Sequence, residues 1–462
     1  MTTARVYDDG SAAVPGGLDG PVERVLIVGA GMAGLTAANA LHHAGVPAVV
    51  LEARDRIGGR LHTADVGGSP VDLGGSWIHT PIGNPMSAWA DQVGVERRPA
   101  NVLEDAGGWD ATRGPVDPER FSELLGEGWE ASSTLGAIGA TLGPDASAAD
   151  ALEAYLAGRD DDPVEREWLR AVMRAGLEQD SAAPASSMAA AQSSSSTLEY
   201  EGDYIGDMPL GGYVKLVEAM AAGLDVRRDW VVATIASGPS GVVVTSRDGR
   251  TETGSHVLVT LPLGVLQAGS VRFEPALPRE RQVVVDRVTM GQFEKVALHF
   301  EQPFWADAGI SAVFDVTPSD TARLVVVFGL DGPVGEPIVL GFAFGSAVSA
   351  LQTGSDADAA ARVVEILAGA TGLPVPRPTA IVRTAWGADP FARGAYSSVG
   401  IGATLDDLDT LGEPVAGRIL FAGEATSSAR CGFADGAMTS GIREAKRLLG
   451  RESVELGLVG GD

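Results

Sequence analysis

A mixed α/β (α+β) fold is predicted, with a Rossmann-like domain built from discontinuous segments and a substrate domain of mixed sheet and helices inserted into it. Three observations predict it. Near the N-terminus, VLIVGAGMAGL (25–35) is an apolar run that breaks into Gly29, Gly31 and Gly34 and then continues in a helical pattern. Near the C-terminus, GRILFAGEA (417–425) is a second apolar run that breaks at a glycine ahead of a helical pattern. Between them, strand and helix patterns alternate, and no internal repeat is visible.

The elements follow in order. RVLIV (24–28) is a buried strand, AGLTAANALHHA (33–44) a helix closed by Gly45, and AVVL (48–51) a second strand. Asn84 caps a short helix, 84–93, with Pro85 in its first turn. Residues 100–180 are mostly helical in pattern, as in PVEREWLRAVMRAGLEQ, and the Ser/Ala-rich stretch 181–198 is a loop or linker. Residues 241–262 give a hairpin signal: GVVVTS, a turn at Asp248–Gly249, then HVLVTL. Strands are expected at 295–300, 323–329 and 338–344, then a helix at 356–368, and a final helix closed by Gly450. The expected division is a flexible tail, 1–21; a dinucleotide-binding domain, 22–99, 210–288 and 386–450; a second domain, 100–209 and 289–385; and a C-terminal tail, 451–462.

Composition narrows the function classes. The chain of 462 residues carries 34 Lys+Arg against 61 Asp+Glu, a formal charge of −27. Such a surface repels nucleic acid and anionic membrane; it serves solubility first and could steer cationic substrates inward. No apolar run is long enough to span a bilayer. The first 21 residues lack the basic start and apolar core of a secretory signal. Cys431 is the only cysteine, so no intrachain disulfide forms, which fits a cytoplasmic setting.

The glycine turn has a specific chemistry. Gly29 permits the tight turn, Gly31 lets the backbone approach a pyrophosphate, and Gly34 lets helix and strand pack closely. The helix N-terminus then offers free N–H groups to the phosphates. Glu52, at the end of the second strand, is placed for a ribose hydroxyl, and the acid there disfavours NADP. After it, LEARDRIGGR (51–60) brings Arg54, Arg56, Gly58, Gly59 and Arg60: a second glycine turn with arginine. A permanently bound FAD calls for such a clamp more than a loosely held NAD.

VLEARDRIGGR, DLGGSWIH (72–79) and LFAGEATSSARCGFADGAMTSGIREA (420–445) resemble the flavin-containing monoamine oxidase and polyamine oxidase family, the FAD-dependent amine oxidases. LPLGVLQAGSVRFEPALP (261–278) is most similar to the polyamine oxidase branch. The resemblance runs from about residue 22 to 450 and is specific at the terminal motifs, not in the middle. It implies that Glu52 binds the adenosine ribose, that Arg60 and the 29–34 turn hold the pyrophosphate, and that Val232 presents backbone to the adenine. It implies that Gly74, Gly75, Ser76 and Trp77 line the flavin ring, that Gly423 and Glu424 reach the ribityl chain, and that the helix beginning near Ala434 faces the flavin C2 carbonyl.

The same resemblance supplies catalytic candidates. Lys295 corresponds to a lysine beside flavin N5 that holds a water. Trp386 packs against the ring, and Tyr396 and Phe433 match the two sides of an aromatic sandwich. Phe433 departs from a paired-tyrosine cage. Ala395 stands where covalent members have cysteine, so FAD is expected to be non-covalent, with Cys431 a buried small side chain. His79 is in a region that faces substrate in polyamine oxidase relatives; the bland reading is a structural histidine. Glu178 and Asp180 could meet a distal ammonium, though acid-rich helices are usually solvated faces.

The activity implied is oxidation of a neutral amine to an imine by hydride transfer to flavin N5, hydrolysis of the imine, and reoxidation by O2 to hydrogen peroxide. The partners are a small amine and O2, and a homodimer is allowed. Three rival activities stay open. An L-amino-acid oxidase would need an arginine after LG, where Trp77 lies. A biosynthetic flavin oxidase or desaturase would act on a carbon skeleton. A non-catalytic flavin module would have no use for Lys295, Trp386 and Tyr396 together. A histone-type demethylase is disfavoured because no inserted coiled-coil arm or extra helical domain is visible.

Overall fold

A computed structural model describes residues 4–8, 10, 18–100, 105–192, 200–202, 205–318 and 324–459. Its organising element is a five-stranded parallel sheet in the order Val226–Arg227, Ala48–Leu51, Val25–Val28, His256–Val259, Ile419–Phe421. Four of these strands are short β-branched and leucine-rich runs, as parallel strands covered on both faces require. On one face, Met32–His43 packs against Ala434–Leu449, with Leu35, Leu41, Met438 and Ile442 buried between. Gly441 permits the contact: a Cβ there would meet the Ala33 carbonyl at 2.4 Å. The other face is covered by a four-stranded sheet, Thr251–Gly254, Gly241–Ser246, Val232–Gly238 and Arg272–Glu274.

A seven-stranded sheet holds the rest: Ala380–Arg383, Phe293–His299, Ile338–Phe344, Val326–Gly329, Ala312–Asp315, Ala106–Asp110 and Gly114–Pro115. Val296 and Leu298 bury against the helix Asp356–Thr371, so alternation turns Lys295 to the opposite face, where Phe342 is its cross-strand partner. Pro118–Leu142, Ala148–Ala157 and Pro163–Ser181 form a helical layer around Leu124, Leu135, Leu152, Leu169 and Leu177.

The structure corrects several expectations. Gly241–Ser246 does form a hairpin, but with Thr251–Gly254; His256–Val259 leaves it and enters the parallel sheet between Val25–Val28 and Ile419–Phe421. Its four residues are all buried, which suits a central strand and not a hairpin edge. Residues 106–115 are strands of the large sheet, not part of a helical region. The two expected tails pair with each other: Arg5–Tyr7 lies antiparallel to Val454–Leu456, and the Tyr7 hydroxyl donates to Gln92 Oε1 at 2.8 Å. Of the Ser/Ala-rich stretch, Ala185–Ser187 and Ala190–Gln192 form short 3-10 turns with Met188, Ala189 and Ala190 buried; 193–198 lie outside the described residues.

Candidate active site

One cavity of about 300 Å³ runs from the glycine turn to the large sheet. The sequence-predicted residues Gly29, Gly31, Glu52, Arg54, Gly59, Arg60, Gly75, Ser76, Trp77, His79, Val232, Lys295, Trp386, Tyr396, Gly423, Glu424, Phe433 and Ala434 all line it. Gly34 does not. It lies behind the turn, where a Cβ would strike the Gly29 carbonyl at 2.1 Å, so its role is helix–strand contact.

The dinucleotide end is built from backbone. Gly29 has φ +110°, and a Cβ there would meet Thr260 Oγ1 at 2.6 Å. Gly31 caps the helix Met32–His43 without a side-chain bond, and a Cβ on it would enter open space. The second glycine turn docks onto the first through a bridge between Gly31 and Gly58, with the Gly58 N–H donating to the Ala30 carbonyl at 2.8 Å. Glu52 is buried; its Oε2 accepts from Ala30 N (2.7 Å) and its Oε1 from Arg54 N (2.9 Å). Arg54 pairs with Asp389 at 2.7 Å, while Arg56 braces its own turn by donating to the Ile57 and Gly59 carbonyls. Arg60 instead bridges two distant segments: it donates to the Ala395 carbonyl (2.8 Å) and to Glu424 Oε1 (2.7 Å).

Glu424 joins three segments. Besides Arg60, its Oε2 accepts from Ser397 Oγ (2.5 Å), Ser397 N and Gly432 N (2.9 Å). Burial alone would raise its pKa, but Arg60, Ser397 and the Gly432 N–H outweigh this and hold it below the ordinary carboxylate range. The helix Ala434–Leu449 begins immediately beyond, with Phe433 as an N-cap that offers no side-chain bond. Its first-turn Asp435 is held by the buried Arg430 at 2.5 and 3.0 Å, and the Arg430 guanidinium lies 4.3 Å from the Phe433 ring centroid.

The other end is aromatic around one lysine. Lys295 Nζ donates to the Gly74 carbonyl (2.6 Å), Ser76 Oγ (2.6 Å) and the Asp72 carbonyl (3.2 Å). A Cβ on Gly74 would fall 1.7 Å from the Arg60 carbonyl, so glycine is required for this shelf to close onto the second glycine turn. Burial pushes the Lys295 amine down to about 7, against a smaller opposing pull from Asp72. Asp72 is itself pushed up to about 6 by burial, although Thr63 Oγ1 and Tyr213 N donate to it. Trp77 packs on Phe328 and Phe342, Phe293 stands between Phe342 and Tyr396, and His79 meets Phe433 edge to face at 5.2 Å. Trp386 Nε1 donates to the Leu73 carbonyl at 3.1 Å. The Tyr396 hydroxyl donates to the Gln179 carbonyl, and burial raises its pKa well above the usual value.

Of the acids near this end, Glu178 is committed to the fold: it accepts from Ala185 N, Ser346 N and Ser346 Oγ. Asp180 instead lines the cavity, with Gln179, at the C-terminal end of Pro163–Ser181. Cys431 also lines the cavity, its thiol pushed up to about 12 by burial. Asp72, Trp230, Phe293, Phe342 and Ser397 escaped sequence reasoning. Only Asp72 had a signal, as the acid opening DLGGSWIH; the others are ordinary strand and loop residues until the fold gathers them. No cluster among the described residues has the makings of a metal site.

These residues fit a flavin dinucleotide. The cavity wall holds two buried indole N–H groups without partners, Trp77 Nε1 and Trp230 Nε1. It also holds two helix N-termini without side-chain caps and the open space beside Gly31, the features an anionic pyrophosphate and a polar ring edge would satisfy.

Comparison with known proteins agrees. The family model for flavin containing amine oxidoreductase matches residues 32–449, and the chain belongs to that family. The family is one of flavin-containing amine oxidoreductases, and membership implies FAD as the cofactor. Lysine-specific histone demethylase 1 homolog 3 of Oryza sativa subsp. indica is 34% identical over 92% of this chain and 54% of its own length. Polyamine oxidase 4 of Oryza sativa subsp. japonica is 28% identical over 93% of this chain and 90% of its own. The chain thus spans about half the length of the demethylase relatives, the branch that the sequence disfavoured. Among solved structures, putrescine oxidase bound to putrescine superposes with a TM-score of 0.74 at 24% identity over 93% of this chain and 99% of that one, a likeness of fold.

Proposed function

We propose that the protein is an oxidase of small di- or polyamines that holds FAD non-covalently. The observation that carries this reading is the helix end at the aromatic side of the cavity. Pro163–Ser181 directs the negative end of its dipole there, has no basic residue in its last turn, and places Asp180 and Gln179 in the cavity wall. The Asp180 carboxylate and the negative end of the helix dipole together favour a cation such as an ammonium at this side of the cavity. FAD, when bound, supplies the hydride acceptor and is returned to its oxidised form by O2, with release of hydrogen peroxide. The chain's own residues do the rest. Tyr396, whose single proton is engaged by Gln179, can only accept, so its hydroxyl receives an N–H and orients the amine. Phe433 and Trp77 exclude water and favour the neutral amine. Lys295, with its lowered pKa, holds or exchanges a proton near pH 7.

Anaerobic stopped-flow reduction of the yellow protein tests the proposal, with putrescine, spermidine, spermine, benzylamine, phenylethylamine, L-amino acids and an N-methyl-lysine peptide as challengers. Fast bleaching by diamines and polyamines, followed by peroxide when air enters, is the expected result. A response confined to the peptide would favour the demethylase reading, which the 34% identity supports. A response confined to amino acids would overturn both. Acid precipitation should release all the flavin into the supernatant, since Ala395 offers no thiol.

A further inference from the structure

We infer that Glu294 is a positioning residue that fixes Lys295 and Trp386 relative to each other and to the 72–77 shelf. It rests on the family assignment, which places a flavin in this cavity. Glu294 does not line the cavity; it is fully buried on the other face of Phe293–His299. Pairing of this strand with Ala380–Arg383 runs out at Val296 and Arg383, and the Glu294 carboxyl takes over where the ladder stops. Its Oε2 accepts from Thr384 Oγ1 (2.5 Å) and Trp386 N (3.0 Å), and its Oε1 accepts from Gly387 N (3.0 Å). Thr384 Oγ1 in turn accepts from Lys295 N at 2.8 Å, and Thr384 N donates to the Lys295 carbonyl at 2.9 Å.

The result is a closed circuit. The backbones of Lys295 and Trp386 are tied together through Glu294, and their side chains reach round to the same short segment: Lys295 Nζ to the Gly74 carbonyl and Trp386 Nε1 to the Leu73 carbonyl. Strand pairing does not need a carboxyl here; an apolar residue would bury with less desolvation. What the carboxyl provides is acceptance at both oxygens. An amide of the same shape must turn its NH2 toward either the Gly387 N–H or the Trp386 N–H, leaving two donors face to face. The circuit therefore demands Glu and not Gln, and a shift of one side would move the lysine and the indole apart.

The test uses the flavin-loaded protein and three variants: Glu294→Gln, Thr384→Val and Thr384→Ser. Absorption and fluorescence of the bound flavin are recorded without any amine, and anaerobic reduction is then followed as a function of amine concentration. Glu294→Gln and Thr384→Val are expected to change the flavin emission and to slow reduction about tenfold or more, with half-saturation moved less than about threefold, as a misplaced reacting group would. Thr384→Ser keeps the hydroxyl and is expected to match the unmodified protein. Unchanged emission and rate in both Glu294→Gln and Thr384→Val would overturn the inference, as would equal damage in Thr384→Ser and Thr384→Val. If Glu294→Gln fails to load flavin, the two threonine variants decide by the same criteria. If no amine reduces the unmodified protein, the proposed substrate fails, while flavin emission still reports on Glu294.

Discussion

The two ends of the cavity are built with opposite electrostatics and by opposite means. At the dinucleotide end, the N-termini of Met32–His43 and Ala434–Leu449 face inward with Arg54, Arg60 and Arg247 in the wall. At the amine end, the C-terminus of Pro163–Ser181 faces inward with Asp180. The first end attracts phosphate and the second repels it. The means differ as much as the sign. The first end is mainly backbone geometry set by glycines within about 35 residues of sequence, 25–60, to which the fold adds Arg247 and the start of Ala434–Leu449. The second gathers side chains from strands, loops and a helix hundreds of residues apart.

The strongest way to break the comparison is to spoil one end while sparing the fold. Gly31 has an ordinary φ of −78°, and nothing lies within 4 Å of a Cβ there. Gly31→Asp should therefore fold, and even gain an N-cap, yet carry almost no FAD, because the carboxylate occupies the path of the pyrophosphate. Flavin absorbance per protein and the melting temperature of the flavin-free form measure this; normal flavin content would remove the turn from the cofactor site.

Lys295→Met attacks the other end. Flavin reduction or reoxidation should slow by about 10²-fold if Lys295 handles a proton in the rate-limiting step. Stability should respond with the opposite sign. The folded-state pKa of Lys295 is lowered from 10.5 to about 7, so its contribution is most favourable above pH 10.5 and is lost as pH falls through about 7. Methionine removes that burden, so Lys295→Met should melt higher than the unmodified protein at pH 6–7, with the gain shrinking toward pH 10. Asp72, raised to about 6, titrates with it, and the pair should appear as two shared steps. A variant with the same melting profile as the parent at every pH would contradict the burial argument.

A sharper and smaller contrast comes from Asp180→Asn. Losing one charge-assisted contact should raise KM for a diamine about tenfold, roughly 1.4 kcal/mol, and leave benzylamine nearly unchanged. Equal effects on both amines would sever Asp180 from substrate choice. Smallest of all, Phe433→Tyr should alter reduction rates only about two- to threefold, since ring position is kept and only polarity changes. The ratio of rates for primary and secondary amines would show it.

Much of the first end was legible in the sequence, because its signals are local. Glycine spacing, strand before and helix after, Glu52 at the second strand end and a second glycine turn all lie within one supersecondary unit. Lys295 was legible only through family resemblance: strand alternation set it opposite Val296 but could not say which face bordered a cavity. For Asp180 the sequence allows both a distal ammonium and a solvated helix face, because the direction of a helix end cannot be read from its own residues. The misassigned hairpin has the same origin. GVVVTS and HVLVTL look equally like strands, and what separates them is burial on two faces against one, a property of neighbours hundreds of residues away.

The sequence by itself therefore determined the two glycine turns and the helix ends at Asn84 and Gly450, since these depend on φ, on missing Cβ atoms and on hydrogen bonds made within a few residues. Only the tertiary structure decided the amine end. Glu294 holding the Trp386 loop, Tyr396 locked to the Gln179 carbonyl and Lys295 seated on Gly74 each join segments more than 200 residues apart except the first, which joins a strand to a loop some 90 residues on. A carboxyl, a hydroxyl or an ammonium acquires its partner, its burial and its pKa only when such segments meet, and no local pattern encodes the meeting.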